Sequence, residues 1–207
     1  MPIFCEFFNL FLYSMSGRAI DKEYERIILG FDPGTNIMGY GVIGCNGKKY
    51  ELITLGIIHL AKLENHALKL QKIHERSLSL IDMYNPDEVA LEEPFFGKNV
   101  QSMLKLGRAQ GVAMAAALHR GLPIFEYTPK KVKKSVTGNG NASKEQVAAM
   151  LQTLLKFDEL PKFLDATDAV AVAVCHFFQS GNSSEGLSKQ YTGWDAFIKA
   201  NEKRVTK

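Results

Sequence analysis

Ile28-Leu29-Gly30-Phe31-Asp32-Pro33-Gly34-Thr35 is the stretch on which the reading of this chain turns. Arg26 to Phe31 is an apolar run of strand length, and Pro33-Gly34-Thr35-Asn36 behind it is turn chemistry. Asp32 is therefore held at the exit of a buried strand, with a proline and a glycine setting the bend. Burying a carboxylate without a partner is costly. Asp32 either shapes an Asp-Pro turn or faces a cation.

Outward from this strand, Met38 to Gly44 reads as a second strand, with Tyr40 and Val42 alternating against Gly39, Gly41 and Ile43. Asn46-Gly47 is a hairpin signal, which makes Lys49 to Leu60 a third, antiparallel strand. Leu68, Ile73, Leu78 and Ile81 recur at helical spacing within Glu64 to Tyr84, and Asn85-Pro86 stops that helix. Glu88 to Glu92 is a short strand with an acid at its end. Asn99 to Arg120 is a long helix in which Gly107 and Gly111, four residues apart, share one face. Two glycines there cost about 1 kcal/mol each against alanine, which implies close approach of another backbone, either the sheet or a second subunit. Pro123 to Tyr127 is a fifth strand, Ser143 and Gln146 form a capping box for a helix ending near Phe157, and Thr167 to Phe178 is the last core helix. The order predicts an α/β fold: a five-stranded mixed sheet, three antiparallel strands then parallel ones, flanked by helices. An RNase H-like sheet has this order, though order alone does not single it out.

A chain of 207 residues holds one domain with a sizeable core, or two small ones. We expect the folded body over 25–179, an extension over 1–24, and a linker and tail over 180–207 that opens on the Gly/Ser-rich run 180–188. The net charge of +3 gives no general case for nucleic acid. Cys5, Cys45 and Cys175 are odd in number and far apart, which excludes a disulfide scaffold or a Cys-ligated zinc and fits a reducing cytoplasm. The five histidines show no metal-ligand spacing. Residues 1–14 are apolar, but Glu6 interrupts them, no basic segment precedes them, and the run is too short to span a bilayer, so neither a signal sequence nor a membrane role is expected.

Asp165 and Asp168, three apart at a helix start, point the same way. A helix crossing the sheet can aim them at the ends of the first and fourth strands, where Asp32 and Glu92 stand. Taken singly, Glu92 is also a plain strand end and Asp165/Asp168 a plain helix cap. Together, four carboxylates repel unless cations lie among them, and an all-oxygen donor set favours Mg²⁺ or Mn²⁺ over zinc. Two such ions, roughly 3.5–4 Å apart, suit phosphodiester hydrolysis.

Four stretches in order, GFDPGTNIMGYGVI, LEEPFFGKNVQSMLKLGRAQGVAMAAAL, PIFEYTPKKVKKSVTGNGNASKEQV and DATDAVAVAVCH, closely resemble the RuvC family of Holliday-junction resolvases. The resemblance covers about residues 26–178. It implies an RNase H-like fold and a homodimer on four-way junction DNA. The implied reaction is paired symmetric nicking that leaves 5′-phosphate and 3′-hydroxyl ends, with RuvA and RuvB as partners. By position it implies Asp32, Glu92, Asp165 and Asp168 as catalytic metal ligands and Phe95 as an aromatic stacking on a base. It implies Lys133 and Lys144 as contacts to the DNA backbone, and the helix of Gly107 and Gly111 as the subunit contact. Pro94 departs from the small apolar residue many members carry there.

The residues themselves add Lys130, Lys134 and Lys98 to the candidate DNA contacts. Lys130, Lys131, Lys133, Lys134 and Lys144 surround the Gly-rich run 137–141, read here as a loop able to follow phosphates, or else as a solvated charge run. Lys98 follows two phenylalanines just after an acid. The expected function is a magnesium-dependent endonuclease resolving junctions in recombination and repair. The alternatives are a non-catalytic junction binder and an RNase H-like nuclease acting on RNA. An actin-like phosphotransferase is disfavoured, since the chain is short and lacks a second phosphate loop.

Overall fold

The computed structural model describes residues 23–94, 99–157, 161 and 163–181. Strands β1 (Arg26–Asp32), β2 (Ile37–Asn46) and β3 (Lys49–His59) form the antiparallel part of one sheet. Asn46 pairs with Lys49 across a two-residue turn, and Gly47, its first central residue, has φ 58°. That left-handed value suits glycine, so the hairpin signal is met one residue further on than its Asn-Gly dipeptide. Strands β4 (Glu88–Glu92) and β5 (Ile124–Tyr127) add in parallel, giving the order β3-β2-β1-β4-β5. The expected five-stranded mixed sheet is what the chain builds.

Helices cover both faces. Helix α1 (His66–Tyr84) follows β3, and α2 (Val100–His119) connects β4 to β5. Helices α3 (Pro129–Thr137), α4 (Lys144–Leu155) and α5 (Asp165–Gly181) follow β5. The period-two alternation of β1 sorts its side chains. Ile27, Leu29 and Phe31 join Ile73, Ile81, Ala109 and Ala113 in the core under α1 and α2. Ile28 joins Val132, Val147, Leu151 and Val170 under α3, α4 and α5.

Helix ends follow the local chemistry. Asn65 caps α1 by accepting from the Leu68 N–H at 3.0 Å, and Asn85 closes it in the left-handed conformation at φ 43°, before Pro86. Ser143 and Gln146 make the expected capping box on α4. Helix α3 fills a stretch that the sequence pattern left without an element, and it takes in Thr137 from the loop expected over 137–141. Thr128 caps it, Pro129 occupies its first turn, Gly138 ends it at φ 76°, and Val132 and Val136 are its buried pair. The Gly-rich loop is confined to residues 138–141, between α3 and α4. The sheet-packing reading of Gly107 and Gly111 is also overturned. Both are exposed, and a Cβ on either would meet nothing within 4 Å. Helix α2 instead sits on the sheet through buried Ala109, Ala113, Ala116 and Ala117.

Close approach occurs under α5. A Cβ on Gly30 would lie 2.2 Å from the Ala169 carbonyl oxygen, one on Gly39 1.9 Å from that of Asp165, and one on Gly41 2.4 Å from Val170 Cγ2. Three missing side chains on β1 and β2 let the Ala/Val face of α5 rest on the strand backbone. Gly30→Ala should therefore force helix and sheet apart and cost about 1–3 kcal/mol, as overpacking does, measured by chemical denaturation.

Candidate active site

The same face carries the acids. Asp32 follows Ile28 and Gly30 on the α5 side of β1, and Glu92 follows Ala90 on the α5 side of β4. Phe31 lies opposite Leu91, so Asp32 and Glu92 leave neighbouring strand ends together. Gly39, the β2 partner of Asp32, is the glycine that receives the Asp165 carbonyl. The start of α5 is thus set directly beside Asp32. Asp165 and Asp168 both belong to its first turn, where acids also meet the favourable end of the helix dipole. The turn after Asp32 is braced by α1: Lys69 Nζ donates to the Thr35 carbonyl at 2.9 Å and to Asn36 Oδ1 at 3.2 Å.

Asp32, Asp165 and Asp168 each offer a carboxylate oxygen such that these atoms lie within 4.8 Å of one another. Glu92 is outside that set but lines the same cleft, of ≈ 260 Å³, with Asp32, Asp168, Lys133 and Lys144. Burial pushes the Asp32 carboxyl well above its ordinary value, and the charges of Glu92, Asp168 and Asp165 add to this against Lys144. Burial and then Asp168 push Glu92 up to about 7, opposed by Lys144 and Lys133. Burial also raises Asp168 against the hydrogen bond and charge of Lys144. The acids are short of positive charge, and all their donors are oxygens. Both properties fit a hard divalent cation.

Lys144 is the first residue of α4. Its ammonium donates to Asp168 and lies 3.8 Å from Asp165 Oδ1. The sequence suggested a backbone contact to DNA for it, and the fold places it among the acids. Burial lowers its pKa, but the hydrogen bond to Asp168 and the charges of Asp168, Asp32 and Asp165 outweigh that and raise it. Lys133 of α3 reaches the cleft wall. Lys130 and Lys134 stand exposed on α3, one turn apart, and Lys131 lies 4.9 Å over the Tyr127 ring. Phe95 and Lys98 lie outside the described residues. His176 is an ordinary satisfied core histidine, 2.7 Å from both Tyr127 Oη and Glu88 Oε2. Cys45 and Cys175 are buried and free.

Sequence reasoning missed Gln110, which is 5 % exposed on α2 and reaches Glu92 and Glu126. A polar residue beside the alanine stripe 109, 113, 116 and 117 was its only local signal.

Residues 28–176 match the family model described as "Crossover junction endodeoxyribonuclease RuvC". The chain is 62% identical over 191 residues to the protein of that name from Cytophaga hutchinsonii, covering 92% of this chain and 94% of the relative. It is 61% identical over 188 residues to the one from Bacteroides fragilis, covering 90% and 99%. Among solved structures, Thermus thermophilus RuvC in complex with Holliday junction substrate superposes with a TM-score of 0.72 at 31% identity, covering 77% of this chain and 98% of that one. The likeness places the sheet in the RNase H-like class.

The electrostatics predict a pH dependence for the metal-free protein. Glu92 holds its proton more tightly folded, at about 7, than unfolded, near 4.5. Its contribution to stability is complete below the unfolded value and is lost as pH rises through the folded one. In chelator, the thermal midpoint should fall between about pH 5 and about pH 8. Glu92→Gln should flatten that slope, and excess Mg²⁺ at the upper end should restore the midpoint.

Proposed function

The chain belongs to the family of the crossover junction endodeoxyribonuclease RuvC and is a structure-specific endonuclease of four-way DNA junctions; we propose that it cuts them by metal-assisted phosphodiester hydrolysis at the cleft of Asp32, Glu92 and Asp168, with Asp165 grouped beside Asp32 and Asp168. The observation that carries this reading is the gathering of Asp32, Asp165 and Asp168 within 4.8 Å from the two ends of the domain sequence.

The four carboxylates are the proposed ligands of Mg²⁺ or Mn²⁺, two ions to a centre. When held by these residues, such ions would polarise the phosphodiester, activate water and stabilise the leaving oxygen. The protein's own part is to hold the ligands rigidly. Asp32 and Glu92 are fixed by strands whose ladder is buried, and Asp165 and Asp168 by a helix with no freedom to slide on the glycines beneath it. Lys133 and Lys144 at the cleft are the proposed phosphate contacts, with exposed Lys130 and Lys134 extending the basic surface along α3. Family resemblance supports Phe95 as a stacking aromatic, and the sequence itself suggests Lys98, three positions on, as a further contact.

Resolution needs two matched cuts, giving 5′-phosphate and 3′-hydroxyl ends that a ligase can join, and two centres imply a homodimer. The exposed face of α2 supports that assembly. Val100, Leu104 and Leu118 are apolar and solvent-exposed there, with Gly107 and Gly111 open between them. RuvA and RuvB as partners, and a cytoplasmic setting, complete the reading. Among the described residues no helix is long and apolar enough to cross a membrane.

Asp32→Asn should abolish Mg²⁺-dependent nicking of a synthetic four-way junction and leave junction binding within about twofold, since it removes a ligand charge but no proposed DNA contact. Nicking retained by the variant defeats the metal role, and preferential cutting of structured RNA defeats the substrate. Lys133→Ala should weaken junction binding and lower the salt slope by about one unit. Leu104→Glu should yield monomers by sedimentation.

A further inference from the structure

The end of β4 is held by a donor from outside the sheet. Strands β1 and β4 are in register up to Phe31 opposite Leu91, and the pairing ends there. On β4, the N–H groups of Val89 and Glu93 point to the β5 side and donate to the carbonyls of Pro123 and Tyr127, at 3.0 and 2.9 Å. The alternate residues, Ala90 and Glu92, turn their backbone groups toward β1. The next donor in register for the Glu92 carbonyl is the N–H of residue 33. That residue is Pro33, which has none.

Gln110 fills the gap. Its Nε2 donates to the Glu92 carbonyl at 3.3 Å and to Glu126 Oε1 at 2.7 Å. A primary amide nitrogen carries two hydrogens, so these bonds use both. Glu126 lies opposite Leu91 on β5, and buried Gln110 reaches both it and the Glu92 carbonyl from α2. We propose that Gln110 is a positioning residue for junction cleavage: it supplies the ladder donor that Pro33 withholds, and so fixes the backbone from which Glu92 reaches the cleft. The inference rests on Glu92 being part of the cleavage centre.

The test compares four variants on a synthetic four-way junction with Mg²⁺, reading kcat, junction Kd and, without DNA, the Mn²⁺ concentration for half-maximal thermal protection. Gln110→Met keeps the size and loses both N–H groups. The double variant Gln110→Glu/Glu126→Gln reverses donor and acceptor, keeping the 110–126 bond but leaving the Glu92 carbonyl without a donor. Glu126→Gln alone keeps Gln110 on the carbonyl, and Glu92→Gln is the control for the site.

Gln110→Met and the double variant should each lose roughly 10- to 100-fold in kcat, the scale of a misplaced supporting group. Junction Kd should stay within about twofold and the Mn²⁺ midpoint should rise, since only the acid's placement changes. Glu126→Gln should stay near wild type. Should Gln110→Met fold poorly, the double variant carries the test, because it retains the tie between α2 and β5. Full activity in the double variant overturns the proposal and reduces Gln110 to a tie between helix and strand. Wild-type kcat in Gln110→Met with Glu92→Gln inactive overturns it while sparing the site. Activity in Glu92→Gln removes the site reading and this inference with it.

Discussion

Everything at the cleft depends on backbone lying against backbone where α5 crosses β1 and β2. Gly30, Gly39 and Gly41 offer no side chains, so the carbonyls of Ala169 and Asp165 sit where a Cβ would be. The distance from helix to sheet is then set by main-chain atoms and does not vary with rotamers. Acids mounted on the two surfaces inherit that precision. Asp32 leaves the strand and Asp168 leaves the helix, and the spacing between them is as fixed as the contact beneath. A larger residue at any of these glycines is poorly absorbed, since the atom it meets on Gly30 or Gly39 is backbone.

That rigidity works against electrostatics. Burial and mutual repulsion raise the acids' affinity for protons, so the fold holds together groups that would separate if free. The energy for this comes from the apolar layers. Ile28, Leu29, Phe31, Ile73, Leu91 and Leu151 are all fully buried on one face of the sheet or the other. A site that is strained in its charges and firm in its backbone is suited to trapping cations, because binding relieves the repulsion without rearranging the scaffold.

Much of this was legible in the sequence because it is local. Strand alternation, the Asn-Gly hairpin, Asn85-Pro86 and the Ser143/Gln146 box each act within a few residues, and each is realised. The four acids were legible as candidates because motif order carried them. Helix α3 was obscured by its own lysines: four charges at 130, 131, 133 and 134 outweigh two valines, and the Thr128-Pro129 start and Gly138 stop went unused. For Gly107 and Gly111, spacing placed both on one face but not which face docks, and four alanines decided that. The attachment of Lys144 to Asp168 and of Gln110 to Glu92 depends on register between distant segments. Pro33 showed its turn in the sequence, and only the parallel pairing reveals the missing donor it leaves behind.

Lys144 has one ammonium and two claimants. While it serves as counter-ion to Asp168 and Asp165, its charge is cancelled locally and contributes little to attracting a polyanion. A tally of lysines along the chain therefore overstates the pull of the bare cleft. The long-range field felt by an approaching duplex is smaller before the acids find another counter-ion than after, so the strength of electrostatic steering is itself a readout of what the carboxylates hold.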